Sequence, residues 1–366
     1  AGKTIMPGII DAHAHGPYAG DDIIPQQNWN LLAHLALGVT TVHNPSSSAK
    51  SAFAAAEYAR TDRILGPRIF STGEIVYGAK STSWAPIDSL DDALAHVRRL
   101  AAQGAISVKN YNQPRREQRQ QVIEAARQEG LISVAEGGSL YQLDMSMIAD
   151  GITGIEHNVP TLKMYDDVHQ FWRQSGAGYT PTLVVTYGGL TSEDYFYQNT
   201  EVWKHPILSN FVPPSQLQAR SVRRVTAPEE DYRDDDSAAA AKILMDAGIM
   251  VNIGAHGQRE GLASHWEMWS FARGGFSPME ALATATINPA RHLGMDKDIG
   301  SLEAGKLADL VIVDANPLDD IRNTDRISHV MINGRLYRAG DLSEEVTGTA
   351  TLSPFHWQTT PQGAIR

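Results

Sequence analysis

The chain has 366 residues, a length that fits two average domains or one large α/β barrel with an appendage. With 42% apolar and 20% charged residues it has the balance of a globular protein, and no stretch is long and apolar enough to cross a bilayer. A net charge of −11 without a basic stripe argues against nucleic acid as a partner, and the absence of cysteine excludes disulfides, thiolate nucleophiles and thiolate metal sites. Any metal must then be held by His, Asp, Glu or a modified Lys.

Residues 7–16, Pro-Gly-Ile-Ile-Asp-Ala-His-Ala-His-Gly, read as a short apolar strand ending in His-Ala-His. Side chains alternate along a strand, so His13 and His15 point to one side and form a ready pair of metal ligands; two surface histidines in a turn is the other reading. A helical period covers 28–37 and stops at Gly38. Val39–Asn44 is a β-branched strand, 51–60 an alanine-rich helix and 68–73 a third strand. Leu90–Gln103 is amphipathic, with Leu90, Leu94, Val97 and Leu100 on one face. A fourth strand over 106–109 precedes Tyr111 and Asn112, and a helix over 115–128 stops at Gly130. A fifth strand, 131–136, ends in the Glu136 carboxylate.

The alternation continues with a helix over 140–150, a strand over 154–157, a helix over 163–174 and a seventh strand over 179–185. Residues 186–236 break the rhythm with an aromatic, Pro-rich and charged insertion, too long for an ordinary βα connection. A helix over 237–247 and an eighth strand over 249–254 follow, then His256. Eight strands alternating with helices indicate a parallel barrel or a doubly wound sheet. In a barrel the residues at strand C-termini converge on one face. Those residues are His13 and His15, His43, Lys109, Glu136, His157 and His256. Beyond them come helices over 278–286 and 288–293, a strand over 305–314, and a hairpin over 330–337 turning at Asn333-Gly334.

Several pieces together resemble the amidohydrolase superfamily of metal-dependent hydrolases, in its imidazolonepropionase-like and prolidase-like subgroup. They are Met6-Pro7-Gly8-Ile9-Ile10-Asp11-Ala12-His13-Ala14-His15, Gly38-Val39-Thr40-Thr41-Val42, Val108-Lys109, Ile155-Glu156-His157, Asn288-Pro289-Ala290 and the segment 300–311. Gly254-Ala255-His256-Gly257-Gln258 with His265-Trp266-Glu267-Met268-Trp269 resembles a branch in which such a domain follows an exported β-propeller. That likeness implies a periplasmic or secreted protein. The resemblance as a whole implies a (β/α)8 TIM barrel over 5–298 with the insertion at 186–236. It also implies a small β-sandwich appendage over 299–340, incomplete in this chain, and an irregular tail over 341–366. The expected partner of the incomplete sandwich is a preceding segment of a longer protein, another chain or a second copy.

The resemblance carries metal-ligand roles onto His13, His15, Lys109 and His157, with Lys109 open to N6-carboxylation between two ions. Two positions depart from the pattern. Glu136 stands where the family has His, and His256 where it has Asp, an exchange that conserves ligand charge. Both remain ligand candidates for one or two divalent ions, zinc foremost. Because the usual Asp is also the general base, the base here is open among Glu136, Glu267 and a bridging hydroxide, with His256 carried as a catalytic candidate. Lys109 also reads as a plain lysine that forms a salt bridge or binds substrate. Tyr111 is placed to donate to a tetrahedral oxyanion. His43 reads as core or as a support for the ligands. With Asn112, His265 and Glu267 it is also carried as a substrate contact. Trp84, Trp203, Trp266 and Trp269 read equally as core or pocket wall. The implied reaction is cleavage of a C–N bond in an amide, cyclic amide or short peptide by metal-activated water. Deamination and a non-catalytic binding domain are the alternatives.

Overall fold

The computed structural model describes residues 2–16, 18, 23–81, 85–138, 140–220, 223–348 and 351–359. The expectation for Trp84 lies outside the described residues. Two parallel sheets carry the fold. The first joins β2 (Ile9–Asp11), β3 (Val39–Asn44) and β4 (Arg68–Ser71) in that order. The second joins β5 (Ser107–Asn110), β6 (Ile132–Glu136), β7 (Gly154–Glu156) and β8 (Gly178–Thr180). All six residues of β3 are buried, so a run of Val and Thr without alternation fits a strand covered on both faces. Helices separate the strands in sequence. In Leu90–Gln103 the Ser89 hydroxyl accepts the Asp92 N–H, and Leu94, Val97 and Leu100 face the core. Gly104 ends that helix at φ 109, a conformation in which a Cβ is strained.

Backbone hydrogen bonds run on past the sheet edges. Val76 N–H donates to Lys109 O at 2.9 Å and Tyr111 N–H to Val76 O at 3.2 Å. On the other side Asn252 N–H donates to Tyr179 O at 2.8 Å, and Ala12 N–H to Ile253 O at 3.3 Å. The expected eighth strand over 249–254 is corrected to one bridge, Tyr179 to Val251. Its polar groups are divided among β8, Ala12 and Thr284, whose carbonyl accepts from Ile253 N–H, so no continuous ladder forms. The expected strand over 179–185 stops at Thr180. Pro181 has no N–H to give, Thr182 turns left-handed at φ 51, and Leu183–Val185 form a 3-10 turn.

A third, antiparallel sheet has the order β1, β9, β10, β11, where β1 is Thr4–Pro7, β9 Leu310–Val313, β10 Ile327–Ile332 and β11 Arg335–Arg338. The first strand is thus separate from β2, with Gly8 between them. A Cβ there would lie 2.2 Å from Thr40 Oγ1, so only glycine lets the chain pass. The hairpin turns at Asn333 and Gly334, at φ 52 and 77, as their residue types imply. The insertion contributes the helix Ser192–Asn199, whose Phe196 stacks on Trp266 at 5.4 Å in the core. Trp266 and Trp269 are buried. Trp203 is partly buried, with Arg224 over its ring at 4.9 Å.

Candidate metal centre

Four histidines meet where β2, β7 and the segment after Gly254 end. One nitrogen from each of His13, His157 and His256 falls within 4.8 Å of the others. His15 completes the group, its ring centroid 4.9 Å from that of His13 and 4.8 Å from that of His256. His13 is fully buried and His256 partly so. Burial and the neighbouring basic groups lower the pKa of His13, His15 and His256, the last to about 3, so these rings are neutral at physiological pH. Neutral imidazole is the metal-binding form.

Three of the rings, those of His13, His15 and His157, are held from behind. His15 Nδ1 donates to Asn44 Oδ1 at 2.9 Å and Ser46 O at 3.1 Å, both acceptors, so its Nε2 bears a lone pair. His157 Nδ1 lies 2.7 Å from Thr182 Oγ1, whose own proton goes to Pro181 O. The hydroxyl therefore accepts from His157 Nδ1. His13 Nδ1 lies 2.6 Å from Glu156 Oε2. Burial pushes the Glu156 carboxyl up to about 8. The inward atoms then face one another: His13 Nε2 and His15 Nε2 are 3.1 Å apart, and His157 Nε2 is 3.4 Å from Glu136 Oε1. The spacing of these inward atoms suits a shared cation. Tetrahedral zinc, with Zn–N bonds of about 2.0–2.1 Å, places its ligands roughly 3.4 Å apart. The donor set fits a divalent ion.

Lys109 is buried, and its Nζ lies 2.8 Å from Glu136 Oε2. Burial alone would raise the Glu136 carboxyl. The contacts with His157 and Lys109 outweigh it and hold the carboxyl well below the usual carboxylate range. The structure therefore brings together His13, His15, Lys109, Glu136, His157 and His256. Tyr111 is part-buried, within electrostatic reach of Glu136 and 6.1 Å between ring centroids from Tyr77. Asn112 follows it, its side-chain oxygen buried and without a hydrogen-bond partner among the described residues.

The structure places three expected substrate contacts in the interior. His43 is buried, with Nδ1 on Ala12 O and Nε2 on Ser107 Oγ, so both nitrogens are engaged in the core. His265 is buried and pairs with Leu37 O at 2.9 Å. Glu267 is buried and accepts Val184 N–H at 2.7 Å and Gly254 N–H at 3.3 Å, which also removes it as a base for water. It ties the end of the strand-seven segment to the end of the strand-eight segment.

Other residues of the site were not singled out from sequence. Asp11 accepts His13 N–H and Ala255 N–H, both at 3.1 Å, and the Ser264 hydroxyl at 2.9 Å. Its position two before His13, on the same strand face, was an available signal. Glu156 was signalled by a carboxylate inside a buried strand. Asn44 and Thr182 gave no local signal. Tyr187 lies over His157 at 5.1 Å between ring centroids, and its phenol, hydrogen-bonded to Glu136, is pushed up to about 12 by burial and by that carboxylate. Gly257 is required: a Cβ there would come within 1.9 Å of His15 O.

A parallel α/β fold with a histidine cluster at its strand ends defines a class of enzyme sites. Residues 4–337 match the amidohydrolase family, and the chain belongs to that family, whose members act on carbon–nitrogen bonds. An imidazolonepropionase of Shouchella clausii is 42% identical over 80 residues, 21% of this chain and 18% of that protein. A 5-methylthioadenosine/S-adenosylhomocysteine deaminase of Moorella thermoacetica is 29% identical over 147 residues, 34% of each chain. These matches thus span at most about a third of the relatives' length. Among solved structures, a Xaa-Pro dipeptidase with bound methionine aligns with a TM-score of 0.67 at 21% identity, covering 92% of this chain and 87% of that one. Ochratoxinase of A. niger aligns at 0.65 and 19%, covering 91% and 83%. At these identities the structural likeness speaks for the fold alone.

Proposed function

We propose that this protein is a metal-dependent hydrolase that cleaves a C–N bond in an amide, cyclic amide or short peptide. The observation that carries the reading is the convergence of His13, His15, His157 and His256 beside Glu136, with the outer nitrogens of His13, His15 and His157 already bonded. His13, His15, His157 and His256 would hold the ion, with Glu136 and, if carboxylated, Lys109 completing the donor set. A divalent ion held by these residues, zinc by its ligand types, would supply water of near-neutral pKa and would polarise the scissile carbonyl. Glu136 takes the proton that water loses as its oxygen bonds to the carbonyl carbon. It returns that proton to the departing nitrogen as the C–N bond breaks. Tyr187 and Tyr111, both near Glu136, would donate to the oxyanion that forms meanwhile.

The backbone bonds at both sheet edges support a closed (β/α)8 barrel with this site at the C-terminal ends of its strands. The names of the relatives supply substrates to try first: Xaa-Pro dipeptides, ochratoxin-type aryl amides and imidazolone-type cyclic amides. The deaminase similarity favours a second reading, attack on an amidine-like carbon with release of ammonia. The test is elemental analysis of protein purified without chelator, with product analysis on those substrates. Bound ion and a new carboxylate support the hydrolase, and ammonia supports the deaminase. Turnover that is unchanged in both His13→Ala and His157→Ala overturns both and points to a binding domain. The free edge of β1, beside half-exposed Ile5, also supports pairing with a further segment or a second chain, which sedimentation tests.

A further inference from the structure

The loops after β6, β7 and β8 enclose a hollow of about 550 Å³ beside the histidine cluster. That volume lies within the range of about 300–1,000 Å³ typical of small-molecule sites. Tyr187 is the wall shared with the cluster, since its ring also lies over His157. Val159, Pro160 and Leu162 make an apolar side. Among the described residues lining the hollow, the charged ones are Arg233 and Asp236, which neutralise each other at 2.9 Å.

The shared wall is built into place. Asn158, next to His157, accepts the Tyr187 N–H at 2.7 Å and donates to Tyr187 O at 3.2 Å. Gly138, two residues beyond Glu136, lies against the ring at φ +81, where a Cβ would come within 2.5 Å of it. The hollow is thus fixed to the ligand-bearing strand ends rather than to a remote surface. Leu162 is 50% exposed there, an apolar side chain with no core role.

We infer that this hollow is the subsite for the substrate's side group, and that the group is uncharged and apolar, of the size of a branched aliphatic chain or an aromatic ring. The inference rests on the hydrolase reading and specifies its substrate class. A charged group would lose its hydration against an apolar wall and find only an ion pair already satisfied within itself. An apolar group loses nothing there and covers Leu162 and Val159.

The test is equilibrium titration of the protein with three probes: N-acetyl-L-phenylalaninamide, N-acetyl-L-leucinamide and N-acetylglycinamide. The same samples are assayed for amide hydrolysis. The expected result is about tenfold tighter binding of the phenylalanine and leucine probes than of the glycine probe. That preference disappears in Leu162→Asp, a change at an exposed position, and in Thr161→Trp, which narrows the hollow beside Leu162. Equal binding of all three probes overturns the inference, as does a preference that survives both variants. Preference without hydrolysis of any probe supports the subsite and counts against the hydrolase reading. Hydrolysis without preference does the reverse.

Discussion

Replacing Asp11 with Ala tests how the two halves of the candidate metal centre are joined. The Asp11 carboxylate holds the His13 and Ala255 N–H groups with one oxygen and the Ser264 hydroxyl with the other. The first group lies just past β2, the second just before His256. All three donors are buried, so alanine leaves them unpaired. Hydrogen bonds to a charged group are worth about 1.5–3 kcal/mol each, but the mutation also removes a carboxylate whose own burial is unfavourable. That burial raises the Asp11 pKa. With these opposed, the net loss is about 3 kcal/mol, near the upper end for a single substitution. Asp11→Asn keeps one oxygen for both N–H groups and offers its amide to Ser264, so it loses about 1 kcal/mol or less. The assay is urea unfolding of wild type and both variants, with zinc affinity measured alongside. Affinity falls by about 10–100-fold in the alanine variant, because His13 and His256 are no longer held in register. An alanine variant within about 1 kcal/mol of wild type, with unaltered zinc affinity, would refute this account of the joint.

Gly138→Ala drives a methyl group against Tyr187 at a positive φ. We expect about 1–2 kcal/mol lower stability and roughly a tenfold loss of kcat/KM, with Tyr187→Phe losing activity but not stability. We expect the state of Lys109 to set the metal count. Paired with Glu136 as an ammonium it accompanies one ion, and carboxylated it accompanies two. Metal titration with and without bicarbonate, with 13C spectroscopy of the carbamate, distinguishes these, and a count of two without a carbamate signal contradicts the link. Burial pushes His43, His265 and His292 down to about 3, 4 and 4. Below pH 6.5 the unfolded chain takes up protons that the folded chain does not. Stability therefore falls as pH drops from 6.5 toward 4, by about 1.4 kcal/mol per pH unit for each titrating histidine. Glu267, pushed up to about 8 by burial, acts oppositely, its contribution being lost as pH rises from 4.5 to 8. His43→Gln should flatten the acid limb of urea midpoints against pH, and an unchanged limb contradicts the assignment.

What the sequence discloses here is local. The helix Leu90–Gln103 has the bounds expected from its amphipathic period. The turn at Asn333-Gly334 follows from two residues that tolerate positive φ. His13 and His15 share a face because a strand has period two. What it hides is set by packing between distant segments. The outer partners of the metal-site histidines lie 143, 29 and 25 positions away, as Glu156 for His13, Asn44 for His15 and Thr182 for His157. His43 has the strand-end signature of a ligand, and only the approach of Ala12 and Ser107 makes it a core residue. His265 and Glu267 have the polarity of substrate contacts. Their helix, Leu262–Arg273, instead buries nearly its whole length, so both serve as internal ties. Segment 249–254 has strand composition, but its hydrogen bonds are divided among three neighbours.

The chain's turn into the site has an energetic consequence that can be measured. His157, Thr182 and His256 adopt φ of 72°, 51° and 58°, a region that costs a non-glycine residue about 1–2 kcal/mol. At each position the chain leaves a strand end and bends inward. His157 N–H still reaches Thr180 O at 2.9 Å, and His256 N–H reaches His13 O at 2.6 Å. These bonds with the ligand geometry over-determine the strained conformation. Glycine relieves the strain but removes the ligand, whereas alanine removes the ligand and keeps the strain. In metal-free protein His256→Gly should therefore be more stable than His256→Ala by about 1 kcal/mol, although both lose the ion. If the alanine variant is the more stable of the two in urea unfolding, the left-handed turn carries no strain. The position of His256 would then be set by its ring contacts with His13, His15 and His157 rather than held against its backbone preference.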